Sequence, residues 1–99
     1  MGFVQFVVQD LRSLSDSGIY ETLVLERVID AHAQEGIFHH NIFLTLELSS
    51  PYFAGNHSTS IHEVMVMDSL EDGVWSFAID EFPVMDEDAI EAFWIQRVR

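Results

Sequence analysis

Five histidines, His32, His39, His40, His57 and His62, are the residues of this 99-residue chain best suited to chemistry. Imidazole can hold a metal ion or carry a proton near neutral pH. His39 and His40 are adjacent in a stretch that alternates like a strand, so their side chains point to opposite faces and cannot share an ion. His32 can approach one of them across a hairpin with Glu35 nearby, but three firm ligands at motif spacing are absent. The expectation is no metal and no cofactor, with pH sensitivity ahead of ion binding as a role for these side chains. Paired carboxylates occur at Glu71-Asp72, Asp80-Glu81 and Asp86-Glu87-Asp88. General acid–base work needs such groups converging in a concave, partly dry site. These sit at a turn, a strand end and a helix start, where solvated or capping roles explain them. No Ser-His-Asp order stands out, there is no Gly-rich phosphate loop, and without cysteine there is neither a thiolate nucleophile nor a disulfide framework. The chain is read as non-catalytic.

Charge narrows the partners. Seventeen acids face four bases, Arg12, Arg27, Arg97 and Arg99, with no lysine, for a net charge of −13. Nucleic acid and anionic membrane surfaces both need a basic patch, so neither is expected as a partner. The first reading of the acids is a solvated surface, and the alternative is steering toward a basic partner. An apolar fraction of 48% is enough to build a core, and the length fits one domain over residues 1–99. No apolar run reaches the roughly eighteen residues of a membrane span. No secretory signal pattern is visible, and the lack of cysteine leans toward a reducing, cytoplasmic compartment. Asn56-His57-Ser58 is a glycosylation sequon in a loop-like stretch, which keeps a lumenal origin open. Met1 directly precedes an uncapped helical pattern, the start expected of a fragment.

Several elements must position these residues. Val4, Val7, Val8, Leu11 and Leu14 fall at helical spacing, and Ser13 to Gly18 break the pattern, which predicts a helix ending near residue 15. Residues 20–34 read two ways. Leu23, Leu25, Ile29 and Ala31 share one face of a strand interrupted by Arg27, whereas Tyr20, Leu23, Val24, Val28 and Ala31 line one side of a helix. Ile42, Leu44, Leu46 and Leu48 alternate with Phe43, Thr45 and Glu47 as a half-buried strand does. Residues 49–60 form a loop, residues 61–68 a strand, and residues 74–82 another, with Trp75, Phe77 and Ile79 on one face. The Glu71-Asp72-Gly73 turn between the last two is a strong hairpin signal. Met65, Met67 and Met85 are assigned to core packing. A last helix starts near Asp86 to Asp88. A capping box at Asp88 and Glu91 and a stripe of Ile90, Phe93, Trp94 and Val98 mark it, one side packing on the domain.

The stretch from Leu23 to Leu48 resembles the second and third strands of plant-type cystatins. The residues that carry the likeness are Arg27-Val28-Ile29, Ala31, Gln34, Gly36, His39-His40 and Leu44-Thr45-Leu46-Glu47. The resemblance implies a cystatin-like α+β fold: one amphipathic helix packed on a four-stranded antiparallel sheet, here followed by a C-terminal helix over 85–99. It also resolves residues 20–34 as strand. Cystatins inhibit papain-like cysteine proteases with a trunk glycine, a Gln-x-Val-x-Gly hairpin and a Pro-Trp hairpin. Here Gly2 is the trunk candidate, the first hairpin reads Gln34-Glu35-Gly36-Ile37-Phe38, and the second runs from Asp68 to Trp75 with no proline and two carboxylates, Glu71 and Asp72, at its tip. A wedge works by burying rigid apolar surface, and desolvating unpaired carboxylates opposes it. The expected function is therefore non-catalytic protein binding or scaffolding on a cystatin-like domain. The alternative is a divergent cysteine protease inhibitor acting through its hairpins. Candidate binding residues are Gln34, Glu35, Gly36, Leu70, Gly73, Trp75, Phe93 and Trp94. The partner is a protein: a papain-like protease, or a second copy of the chain met through the last helix.

Overall fold

A computed structural model describes residues 2–14, 18–55 and 58–98. In order these form helix α1 (Gly2–Arg12), a 3-10 turn (Ile19–Thr22), strands β1 (Val24–Glu35), β2 (His39–Ser49), β3 (Thr59–Ser69) and β4 (Trp75–Ile79), and helix α2 (Glu87–Val98). The four strands pair antiparallel in the order β1-β2-β3-β4, an open meander of α+β class.

α1 forms because Val4, Val7 and Leu11 recur at the spacing of one helix face, and all three are buried. They meet the inward side chains of the central strands, Leu44, Leu46 and Leu48 from β2 with Val64 and Val66 from β3. The helix stops at Arg12, two residues short of Leu14. Leu14 is 48% exposed rather than part of the stripe, and the Ser13 hydroxyl donates to the Asp10 carbonyl at 2.8 Å to close the last turn. Of the residues expected to break the helix, 15–17 lie outside the described residues.

Residues 24–35 are strand, and their register explains why periodicity reads two ways. Leu25 faces Leu48 and Arg27 faces Glu47, so Glu26 is an extra residue. Val28 faces Leu46 and Asp30 faces Thr45, so Ile29 is a second one. Each bulge adds one residue to β1 without advancing β2. The inward set becomes Leu25, Val28 and Ala31, spaced three apart as on a helix, while Ile29 turns out 42% exposed rather than inward.

β4 spans five residues, shorter than the expected 74–82. Past Ile79 the chain is held by other bonds. The Asp80 N–H donates to the Glu63 carbonyl at 3.0 Å, and the His62 Nδ1 donates to the Glu81 carbonyl at 2.8 Å. The Tyr20 hydroxyl donates to the Pro83 carbonyl at 2.8 Å. This segment closes the lower end of the core, where Met85 bridges Phe53 and both are buried. Met85 is thus a core residue, but Met65 and Met67 are not: both lie on the sheet's outward face, half-buried.

Asp86, not Asp88, caps α2. Its Oδ1 accepts the Asp88 and Ala89 N–H groups at 2.9 and 3.2 Å, which replaces the expected box of Asp88 and Glu91. Of the α2 stripe only Ile90 and Trp94 have described side chains, and neither seats on the core as expected. Ala89 alone among its described side chains packs on the core, while Ile90, Trp94 and Ile95 are 38%, 49% and 47% exposed. The side chains of Phe93 and Val98 lie outside the described set.

Leu46 sits at the centre of the helix–sheet interface with no exposure. Leu46→Ala should cost about 2–5 kcal/mol in urea denaturation, whereas Leu14→Ala should stay within about 0.5 kcal/mol.

Candidate functional site

One end of the sheet gathers most of the residues singled out by the sequence. The β1–β2 hairpin turns through residues 36–38, and the β3–β4 hairpin through residues 70–74. These tips lie side by side, because the Leu70 N–H donates to the Phe38 carbonyl at 3.0 Å. Ile37, Phe38, Leu70 and Val74 are 86%, 72%, 50% and 60% exposed. Four large apolar side chains meeting water at one end form a patch that its own fold leaves uncovered. Leu70 is one of the expected binding residues, and Ile37, Phe38 and Val74 lie in the hairpins, residues 34–38 and 69–75, through which the inhibitor alternative acts. Their signal is apolar residues inside turn segments, where neither sheet period has use for them.

Two glycines make these turns feasible. At Gly36 a Cβ would lie 2.7 Å from the His39 carbonyl oxygen, while the Gly36 N–H donates to that same oxygen at 2.9 Å. Gly73 has φ of +72°, a left-handed conformation that an L side chain adopts only with strain. Its N–H donates to the Ser69 carbonyl at 2.9 Å.

The two carboxylates of the second tip are not equivalent. Asp72 Oδ1 accepts the Val74 N–H at 2.9 Å, so this carboxylate is turned back onto its own turn. That bond, and after it the Ser69 hydroxyl, holds the Asp72 carboxyl below the usual carboxylate range. Ser69 Oγ also accepts the Glu71 and Asp72 N–H groups, at 3.3 and 3.4 Å. Asp72 is therefore an organiser of the turn while staying exposed, and Glu71 has no side-chain bond among the described residues.

The N-terminus of α1 lies at the same end. Phe3 packs on Trp75 with ring centroids 4.3 Å apart, and Phe6 meets it edge-on at 5.7 Å. A Cβ at Gly2 would stand 3.3 Å from the Trp75 ring. Trp75 is thus fixed against α1 with 37% of its surface exposed, behind the tip rather than at its point. Beside it a cavity of about 440 Å³ is lined by Phe3, Gln34, Glu35, His40, Ile42 and Asp68 among others. Gln34, Glu35, Gly36, Leu70, Gly73 and Trp75 therefore share one end of the molecule. Trp94 does not: α2 approaches the 3-10 turn instead.

The histidines are dispersed. His32 pairs with Phe43 rather than with His39 or His40, and His57 lies outside the described residues together with Asn56 of the sequon. Among the described residues no group of three or more His, Cys, Asp or Glu side chains is placed to hold a metal ion. Among the described histidines His62 is the buried one, at 5% exposure. Its Nε2 accepts from Ser60 Oγ at 2.6 Å, its Nδ1 donates to the Glu81 carbonyl, and Asp80 Oδ1 is 3.9 Å from Nδ1. The tautomer follows from the carbonyl, which can only accept. This has the residue types of an acyl-transfer triad, but the Nδ1 proton goes to a carbonyl rather than to Asp80, and the buried ring offers no access to substrate. Its consequence is structural: it ties the segment after β4 to β3. Alternation carries that signal, since Ser60, His62, Val64 and Val66 fall on one face.

In comparisons with known proteins the chain matches no family model, no curated protein and no solved structure.

The Asp72 carboxyl titrates lower in the folded chain than in the unfolded one. Its contribution to stability is therefore present above the unfolded value and lost as pH falls through the lowered folded value. In urea titrations from about pH 6 to about pH 2, wild type should begin more stable than Asp72→Asn and converge with it at the acid end. Gly73→Ala should destabilise by about 1 kcal/mol at every pH.

Proposed function

We propose that this chain is a non-catalytic protein-binding domain of cystatin-like fold, which engages its partner with the end formed by the two hairpin tips. The observation that carries the reading is the hydrogen-bonded pairing of those tips, with Ile37, Phe38, Leu70 and Val74 held exposed on ordered turns. A surface of this kind binds by burying apolar side chains whose backbone is already fixed, so little ordering entropy is lost. Bulky apolar residues at a convex edge suit a concave cleft on the partner. The cystatin-like assignment is supported by the order of helix then four antiparallel strands, and by the N-terminus of α1 lying beside both hairpins.

Inhibition of a papain-like cysteine protease is the second reading. One observation favours it: Asp72 Oδ1 is bonded to the Val74 N–H. Of the two exposed carboxylates at the second tip, one is thus fixed by its own turn, and Glu71 is left without a side-chain bond among the described residues, beside Leu70 and Val74. A cleft with a base facing Glu71 accommodates that pattern, and a purely apolar cleft does not.

An inhibition assay against papain-like proteases separates the readings. Submicromolar inhibition, lost in Ile37→Ser/Phe38→Ser, establishes the inhibitor reading. Without inhibition, affinity capture with wild type and with that double variant tests the binding role. Partners retained by wild type should be lost at least about tenfold from the variant, as expected for truncated apolar anchors. Equal capture by both proteins would remove the tips from the binding site.

A further inference from the structure

An antiparallel sheet with one solvated face ordinarily carries polar side chains on that face. This sheet departs from the rule where its register is most regular. Strand pairing sets His32, Phe43, Met65 and Ala78 opposite one another, a row that crosses all four strands on the side away from α1. The next row holds Asp30, Thr45 and Glu63, and the Asp80 N–H bond to the Glu63 carbonyl extends it to Asp80. An apolar row and an acidic row thus run in parallel. A depression of about 470 Å³ lies over them. The imidazole of His32 stacks on Phe43, with centroids 5.0 Å apart and planes 16° apart, which pins one wall. Met67, one step further along β3, widens the apolar strip. The Glu63 carboxylate has no side-chain partner among the described residues.

The spacing defines what fits. Four strands span about 14 Å across the row, the length of about ten residues of helix, and the two rows stand about 7 Å apart, within the width of one helix. A second copy of the chain is a poor occupant. Face-to-face pairing would bring Asp30, Glu63 and Asp80 of two molecules together, each molecule carrying −13, and the nearby Arg27 is already paired with Glu47 at 3.1 Å. A partner with apolar residues along one side and lysine or arginine along the flank meets both rows at once.

We infer that the outward face of the sheet docks a basic amphipathic helix of a protein partner, apolar side on the Phe43–Met65–Ala78 row and basic flank on Asp30, Glu63 and Asp80. This surface is separate from the hairpin tips and does not rest on their role. The test uses an 18-residue helical peptide of leucine and lysine with one apolar side, at physiological salt, and the matching peptide with glutamate for lysine. The lysine peptide should bind and shift the amide resonances of Phe43, Thr45, Met65 and Ala78, and the glutamate peptide should not. Phe43→Ser/Met65→Ser should weaken binding about tenfold or more, and so should the near-isosteric Asp30→Asn/Glu63→Gln, which keeps the test open if the first variant fails to fold. Ile37→Ser/Phe38→Ser at the tips should leave the affinity unchanged. Equal binding by the folded outward-face variants, or shifts confined to the tips, would reduce the effect to bulk charge or to the other surface and overturn the proposal. A wild-type dimer dissociated by Phe43→Ser/Met65→Ser would assign the face to a second copy and overturn it equally.

Discussion

The interaction on which the rest depends is the packing of α1 across strand β2. β2 is bonded along both edges, to β1 and β3, and its inward leucines 44, 46 and 48 are sealed by Val4, Val7 and Leu11. Burying a side chain of this size contributes about 1.5–3 kcal/mol, so this seam contributes far more than any polar contact in the molecule. The Arg27–Glu47 pair, with the arginine 64% exposed, is a contact of the kind that adds at most about 1 kcal/mol. Because the core is narrow, its polar members must be satisfied. No buried side-chain polar atom lacks a partner among the described residues, and Ser50 and His62 reach theirs through Tyr52, Thr22, Ser60 and Glu81.

What the sequence made legible followed from regular periods. β2 keeps strict alternation, and of the inward set read there Leu44, Leu46 and Leu48 are buried and Ile42 half-buried, whereas Met65 and Met67 of β3, expected in the core, lie on the outward face. The Asp-Gly step marked the second hairpin for the same local reason: Gly73 needs a positive φ. β1 was not legible from its residues alone. Two extra residues, Glu26 and Ile29, shift its face twice and imitate a helical spacing, so no local pattern distinguishes the two. α2 misled in the opposite way. Its stripe of Ile90, Phe93, Trp94 and Val98 implies a packed side, yet Ile90 and Trp94, the two with described side chains, stay exposed on a helix that Asp86 caps. Periodicity tells which residues share a face, not whether anything lies against it.

The candidate site followed a similar division. Gln34, Glu35, Gly36, Leu70, Gly73 and Trp75 were drawn from two separate hairpins, and antiparallel pairing of β2 with β3 brings those hairpins to one end. Their roles were less legible than their places. Gly36 and Gly73 shape turns, Trp75 braces α1, and the apolar surface joins Leu70 to its hairpin neighbours Ile37, Phe38 and Val74. Asp72 reverses an inference drawn from composition. A carboxylate at a tip reads as an obstacle to burial, but one that accepts its own turn's N–H is already partnered and fixes the loop.

The acidic surface then acquires a physical meaning that net charge alone does not give. Charges at turns and helix starts repel one another weakly through solvent, and capping bonds such as those of Asp72 and Asp86 offset the repulsion locally. Asp30, Glu63 and Asp80 differ because they stand in a row beside Phe43, Met65 and Ala78. Near an apolar strip water is displaced when a partner binds, and the same carboxylates then interact through a lower dielectric. A partner without bases would desolvate Glu63 with no side-chain partner and leave Asp30 bonded only to His32 and Asp80 only to the Glu81 N–H, so the row disfavours neutral and acidic surfaces and favours basic ones. The apolar row supplies affinity without discrimination, and the acidic row beside it supplies the discrimination.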